Sequence, residues 1–199
     1  MKKKKSGFTL IEVIIVLVLT VIVLGIICSI FITGNKVFSD SDVKSTLQME
    51  AKNMQEELTQ IGIQGISVTD IEINGASRNA DGQYVDKKYS EIDSSKINRI
   101  EIQGYDKDSV YSNDGTVSNE KYYNIIYNED GKLKLVYDNG DSKILSENVN
   151  SFRIVPQDKN KSFAESSSIE FDIILSEKKS YSNVKYPISI NVSFRNRGD

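Results

Sequence analysis

From Val13 to Ile32 the chain runs for 20 residues without a charge, and that run limits what the rest can become. As a helix it reaches across the roughly 30 Å hydrocarbon core of a bilayer. A backbone in lipid must satisfy its own polar groups, and a helix does so within one segment. Lys2, Lys3, Lys4 and Lys5 precede the run. They hold its N-terminal end in the cytoplasm, which sends everything after Ile32 outward. One carboxylate, Glu12, stands at the threshold of the apolar stretch. An ionisable group costs about 2.5–3.5 kcal/mol at the bilayer midplane on insertion scales, and less near an interface. Glu12 is therefore a functional candidate by default.

Basic residues ahead of an apolar run also describe a secretory signal peptide. Two features oppose that reading. The run is longer than the roughly 7–15 residues of a signal core, and Ile32-Thr33-Gly34-Asn35 supplies no small-x-small cleavage site. A plain single-pass anchor with an incidental Glu accounts for the lysines and the length. It does not account for Gly7-Phe8-Thr9-Leu10-Ile11-Glu12 in a row. That string, placed after a basic leader, resembles the processing site of type IV pilins and pseudopilins.

The resemblance carries specific implications. Residues 1–7 would be a leader that a prepilin peptidase removes by cutting after Gly7, and the new amino terminus of Phe8 would be methylated. Glu12, fifth in the mature chain, would face the amino group of a neighbouring subunit's first residue. A free α-amino group is mostly cationic at neutral pH, and opposite charges brought together in lipid relieve each other's isolation. Beyond the peptidase, the implied partners are other major and minor pilins, the membrane, and the assembly platform protein with its ATPase. The sequence departs from many major pilins in lacking a proline in the apolar half, since its only prolines are Pro156 and Pro187. Gly25 is the one local weak point there.

Setting aside about 35 residues for leader and span leaves roughly one domain. The formal charge is −3; without Lys2 to Lys5 the 25 basic residues become 21 against 28 acidic, a balance of −7. Such a surface does not invite nucleic acid, whose binding rests on many Lys and Arg contacts to phosphate. Cys28, the sole cysteine, lies in the apolar run. No intramolecular disulfide can form, so burial alone must hold the exported part together. Cys28 reads as a small apolar residue, with acylation as the alternative.

Past the membrane a helical period continues. Val43, Leu47, Ala51, Met54, Leu58 and Ile61 recur at steps of three and four, which marks an apolar stripe. Lys44, Gln48, Lys52, Gln55, Glu56 and Gln60 form a solvated opposite face. Ser39-Asp40-Ser41-Asp42 is rich in capping residues and is compatible with a break or a fresh N-cap. With no proline between Phe8 and Ile61, one nearly continuous helix about 80 Å long is the favoured form, ended by Gly62 and Gly65. Residues 8–35 are assigned to its membrane and assembly half, 36–65 to its amphipathic half, and 66–199 to a β domain.

In that domain the period falls to two. Ile169, Phe171, Ile173 and Leu175 alternate with mostly polar residues, as do Ile188, Ile190, Val192 and Phe194. Further strands are expected at Ser67–Ile73, Asn98–Tyr105, Tyr122–Tyr127, Lys132–Tyr137 and Ser151–Val155. Asn128 to Gly131 and Asn139-Gly140 are turns. Segments Asn74–Lys96 and Asp106–Glu120 read as loops. The sheet's apolar face needs a cover, and the helical stripe supplies it. The expected fold is α+β, a long N-terminal helix packed on an antiparallel sheet, like a lollipop.

Chemistry is sparse. Without histidine there is no imidazole catalysis and no histidine metal ligand. No P-loop or G-x-S-x-G string occurs. Asp106-Lys107-Asp108 and Asn113-Asp114-Gly115 gather carboxylates in one segment, but without EF-hand spacing, so a plain acidic turn is expected rather than a calcium site. Tyr84, Tyr89, Tyr105, Tyr111, Tyr122 and Tyr123 cluster near the loops and point to no ligand. No cofactor and no catalytic residue are assigned. The ending Val192-Ser193-Phe194-Arg195-Asn196-Arg197 is similar to that of minor pilins and J-type pseudopilins. The expectation is a structural subunit that initiates, caps or joins a filament used as a pilus, in secretion or in DNA uptake. The alternative is a binding module at a filament tip, facing a surface, DNA or an exported protein.

Overall fold

The computed structural model describes residues 7–73, 84–105, 120–128, 130–179 and 182–194. Its first element, α1, runs unbroken over Leu10–Gln64, 55 residues and about 82 Å. No proline interrupts it, and it passes through Ser39 to Asp42 without a break. The capping residues there turn outward to a strand instead: Ser39 Oγ donates to the carbonyl of Lys179 at 3.5 Å, and Asp42 pairs with Lys179 Nζ at 2.9 Å.

All six residues of the apolar stripe, Val43, Leu47, Ala51, Met54, Leu58 and Ile61, are at most 5% exposed. Burying each such large side chain contributes about 1.5–3 kcal/mol, so the stripe is the main bond between helix and domain. Gly62 does not end the helix, as the sequence suggested; it lies within it. A Cβ on Gly62 would sit 2.2 Å from Val192 Cγ1, so only a glycine lets the strand approach so closely. Gly65 is the cap, in extended conformation, with its N–H on the carbonyl of Gly62. The chain passes from there directly into a strand.

The strands divide into two sheets rather than the one expected. β1 (Gly65–Ile73), β2 (Ile97–Tyr105), β3 (Glu120–Tyr127), β4 (Leu133–Tyr137) and β5 (Ser142–Ser146) form an antiparallel meander. β6 (Val149–Pro156), β7 (Ser168–Lys179) and β8 (Ser182–Ser193) form the second antiparallel sheet. Alternation along a strand says which side faces inward but not which strands pair, so it could not separate the sheets. Ile100, Ile102, Ile125 and Leu135 from the first join Ile154, Phe171, Ile173 and Val192 from the second in one core with the helical stripe.

Three short 3₁₀ turns, Tyr84–Asp86, Tyr89–Glu91 and Ser94–Lys96, precede β2. Both expected turns form: Gly131 and Gly140 take φ of 82° and 85°, where a side chain would be strained. β5 was not expected, because Ser142, Lys143 and Ile144 are all exposed and leave no alternation to read. β8 begins earlier than its apolar pattern and contains Pro187, which an edge strand tolerates because no neighbour needs its N–H. It lies alongside α1 and runs the same way, from the level of Ser39 and Asp42 to that of Gly62. The acidic segment around Asp106 and Asp114, Tyr111, and the terminal Arg195-Asn196-Arg197 lie outside the described residues.

Candidate functional site

The start of α1 collects every site residue that the sequence singled out. Thr9 takes an extended backbone, φ −76° and ψ 154°, and caps the helix that begins at Leu10. Its hydroxyl accepts the N–H of Glu12 at 3.4 Å, while its own N–H donates to Glu12 Oε2 at 2.7 Å. The Thr9 hydroxyl proton also goes to Glu12 Oε2, at 2.8 Å. This is a reciprocal capping box: the Thr9 N–H goes to the Glu12 carboxylate, and the Glu12 N–H is shared between the Thr9 hydroxyl and the Thr9 carbonyl, the latter at 3.1 Å. A carboxylate in that turn also meets the positive end of the helix dipole.

Glu12 is therefore part of the helix terminus within a single chain. Thr9 is the partner that sequence reasoning missed, although Thr-x-x-Glu before an apolar run is itself the capping-box signature. The box engages Oε2 alone; Oε1 has no hydrogen bond among the described residues. Gly7 and Phe8 precede the cap and lie outside the helix. No atom comes within 4 Å of where a Cβ on Gly7 would stand, and Phe8 is 87% exposed. The Gly7–Phe8 peptide bond is thus in open backbone, one residue before the cap.

Each large apolar side chain from Leu10 to Phe38 is at least half exposed, and Cys28 is exposed among them. Among the described residues nothing covers this half of α1. It is long and apolar enough to cross a membrane.

The domain's charged clusters look structural. Arg99 on β2 reaches Asp70 and, at 3.1 Å, Glu72 on β1, with Glu101 at 3.6 Å and Asn124 of β3 at 2.8 Å. One guanidinium so ties three strands together. Glu50 accepts from Ser146 at 2.8 Å and Asn148 at 2.9 Å, fastening α1 beside β5. Lys143 pairs with Glu57 in the same seam, and that hydrogen bond raises the lysine pKa. A groove of about 720 Å³ runs past Tyr127, Ser151, Arg153, Asp172, Ile174 and Pro187, but Arg153 and Asp172 already pair at 2.8 Å. Among the described residues no group of acidic or cysteine side chains is arranged to hold a metal ion.

Residues 2–27 match the family described as the prokaryotic N-terminal methylation motif. Neither curated proteins nor solved structures yielded a match to the chain. The motif marks a type IV pilin-like prepilin signal and supports a pilin- or pseudopilin-type structural subunit. It implies processing by a prepilin peptidase and assembly with other pilins, and with the apolar half of α1 it fits a single-pass membrane anchor.

Proposed function

We propose that the chain is a minor subunit of a type IV pilus-like filament, one that initiates, caps or joins the helical stack. It waits in the cytoplasmic membrane with its N-terminus inside and its β domain (residues 66–199, on the stalk of residues 36–65) outside. A prepilin peptidase cuts after Gly7 and methylates Phe8, and the ATPase-driven platform then moves the subunit into a filament. The observation that carries this reading is the sequence of parts at one end: the methylation motif, an uncovered peptide bond, a capped helix start, and a helix half that no described residue covers. A peptidase needs a segment that is not locked in a helix, and Gly7-Phe8 offers one because the helix starts only after Thr9.

Glu12 serves assembly in this reading. Its Oε2 holds the cap in every subunit, leaving Oε1 for the terminal amine of a neighbour's Phe8. In lipid such a pair relieves two isolated charges at once. Beyond Lys5 the chain carries 21 basic against 28 acidic residues, a balance unsuited to DNA that favours a structural subunit over a nucleic-acid-binding tip.

The test combines two variants. Gly7→Val should leave an unprocessed membrane protein, and the wild type should begin at Phe8 by mass spectrometry. Glu12→Val should keep insertion and cleavage but lose recovery in sheared filaments. A mature chain starting elsewhere overturns the processing claim. Equal recovery of Glu12→Val after confirmed cleavage overturns the pairing role.

A further inference from the structure

We infer that residues 33–42 of α1 are a hinge between the membrane half and the β domain, and that Asp42 is its latch. The inference uses the membrane reading above only to place the hinge. Three observations converge on it. First, the segment has almost no cover: Val37 is 57% and Phe38 77% exposed, and the buried stripe begins only at Val43. It also follows Ile32, where the apolar run ends, and carries Asn35, Lys36, Asp40 and Asp42, which suit water rather than lipid.

Second, its residues are poor helix formers. Thr33-Gly34-Asn35-Lys36-Val37-Phe38-Ser39-Asp40-Ser41-Asp42 contains one strong former, Lys36. The others lose side-chain freedom in a helix or compete for its backbone hydrogen bonds. Above it, Leu47 to Gln64 is rich in Leu, Met, Glu, Gln and Lys. A helix length without tertiary cover and with weak propensity is where local opening costs least.

Third, the side chains that hold the straight form are the ones that suit the open form. Asp42 pairs with Lys179, and Ser39 donates to the Lys179 carbonyl; among the described residues these are the polar side-chain contacts from the β7–β8 end to this segment. Thr46 Oγ1 bonds back to the Asp42 carbonyl at 3.2 Å, a pattern that weakens the local ladder. If the helix parts below Val43, the Asp42 carboxylate is placed to cap the first N–H groups of the remaining helix. It exchanges one ionic contact for another role, so the open form does not strand it. The buried stripe from Val43 onward stays packed in both forms, and the domain swings as a unit.

Hydrogen exchange of the full chain in phosphatidylcholine vesicles tests this, because three segments report separately. Slow exchange across residues 13–32 reports insertion, and slow exchange across 43–61 reports the folded domain. Residues 33–42 should exchange at least about tenfold faster than 43–61. Lys179→Ala should speed them a further two- to fivefold, roughly the effect of losing an exposed ion pair. Replacing Gly34, Asn35 and Ser41 together by alanine should slow them at least about tenfold. Equal protection of 33–42 and 43–61 in the wild type overturns the hinge, and an unchanged rate in Lys179→Ala overturns the latch. Rapid exchange across 13–32 would instead count against the membrane reading.

Discussion

One helix meets two environments. From Leu10 to Ile32 every large apolar side chain is at least half exposed, whereas from Val43 to Ile61 the apolar stripe is almost wholly enclosed. The lower half is apolar all round and needs lipid or other helices on every side. The upper half is apolar on one stripe and carries its own partner, the two sheets. The helix hydrogen bonds are the same in both; what differs is which surroundings make the helix stable. The lower half is written for an environment outside the chain, and the upper half for one inside it.

Substitutions that separate the halves should differ widely in effect. Leu47→Asp or Leu58→Asp places a charge at a site with no exposure, and should abolish the cooperative melt of residues 36–199. An unchanged melt would mean that the stripe is not what joins helix to domain. Arg99→Ala leaves Asp70, Glu72 and Glu101 without their shared cation and should cost about 3 kcal/mol in chemical denaturation. Gly62→Ala forces Val192 aside and should cost about 1–3 kcal/mol, read the same way.

A smaller effect concerns pH. The hydrogen bond to Glu57 raises the pKa of Lys143, burial raises that of Tyr127, and a hydrogen bond to Glu120 raises that of Tyr122. Each group holds its proton more tightly when folded. Their contribution is complete below the unfolded values, about 10 and above, and fades as pH rises through the raised values. Stability measured by urea titration should therefore decline on the alkaline side above about pH 10, by well under 1 kcal/mol per exposed group. The least effect is expected from Leu19→Ala, which should leave the domain's melting temperature unchanged; a drop would show that the halves are not independent.

The stripe was legible residue by residue, because a period near 3.6 with one apolar side has few other meanings. Most strands were legible for the same reason at period two. The two-sheet arrangement was not, since it depends on which edges meet in space. β5 escaped because its outer residues are exposed without alternation. Gly62 was misread as a terminator because a glycine's close neighbour, Val192, lies 130 positions away. At the helix start, Gly7, Phe8 and Glu12 stood out in the sequence, and the role of Thr9 was present there too, overshadowed by the charge it serves.

The absence of any loop between Gln64 and Gly65, together with β8 lying alongside α1 in the same direction, has a mechanical consequence. A pull on the lower end of the helix is directed along the length of β8. The contact between them would have to slide as a whole, with Val43 through Ile61 leaving their seats together. Contacts loaded lengthwise yield together, whereas contacts peeled from one end yield one at a time. The joint between rod and domain is thus built to resist tension along the rod, and is weakest against a sideways push on the domain.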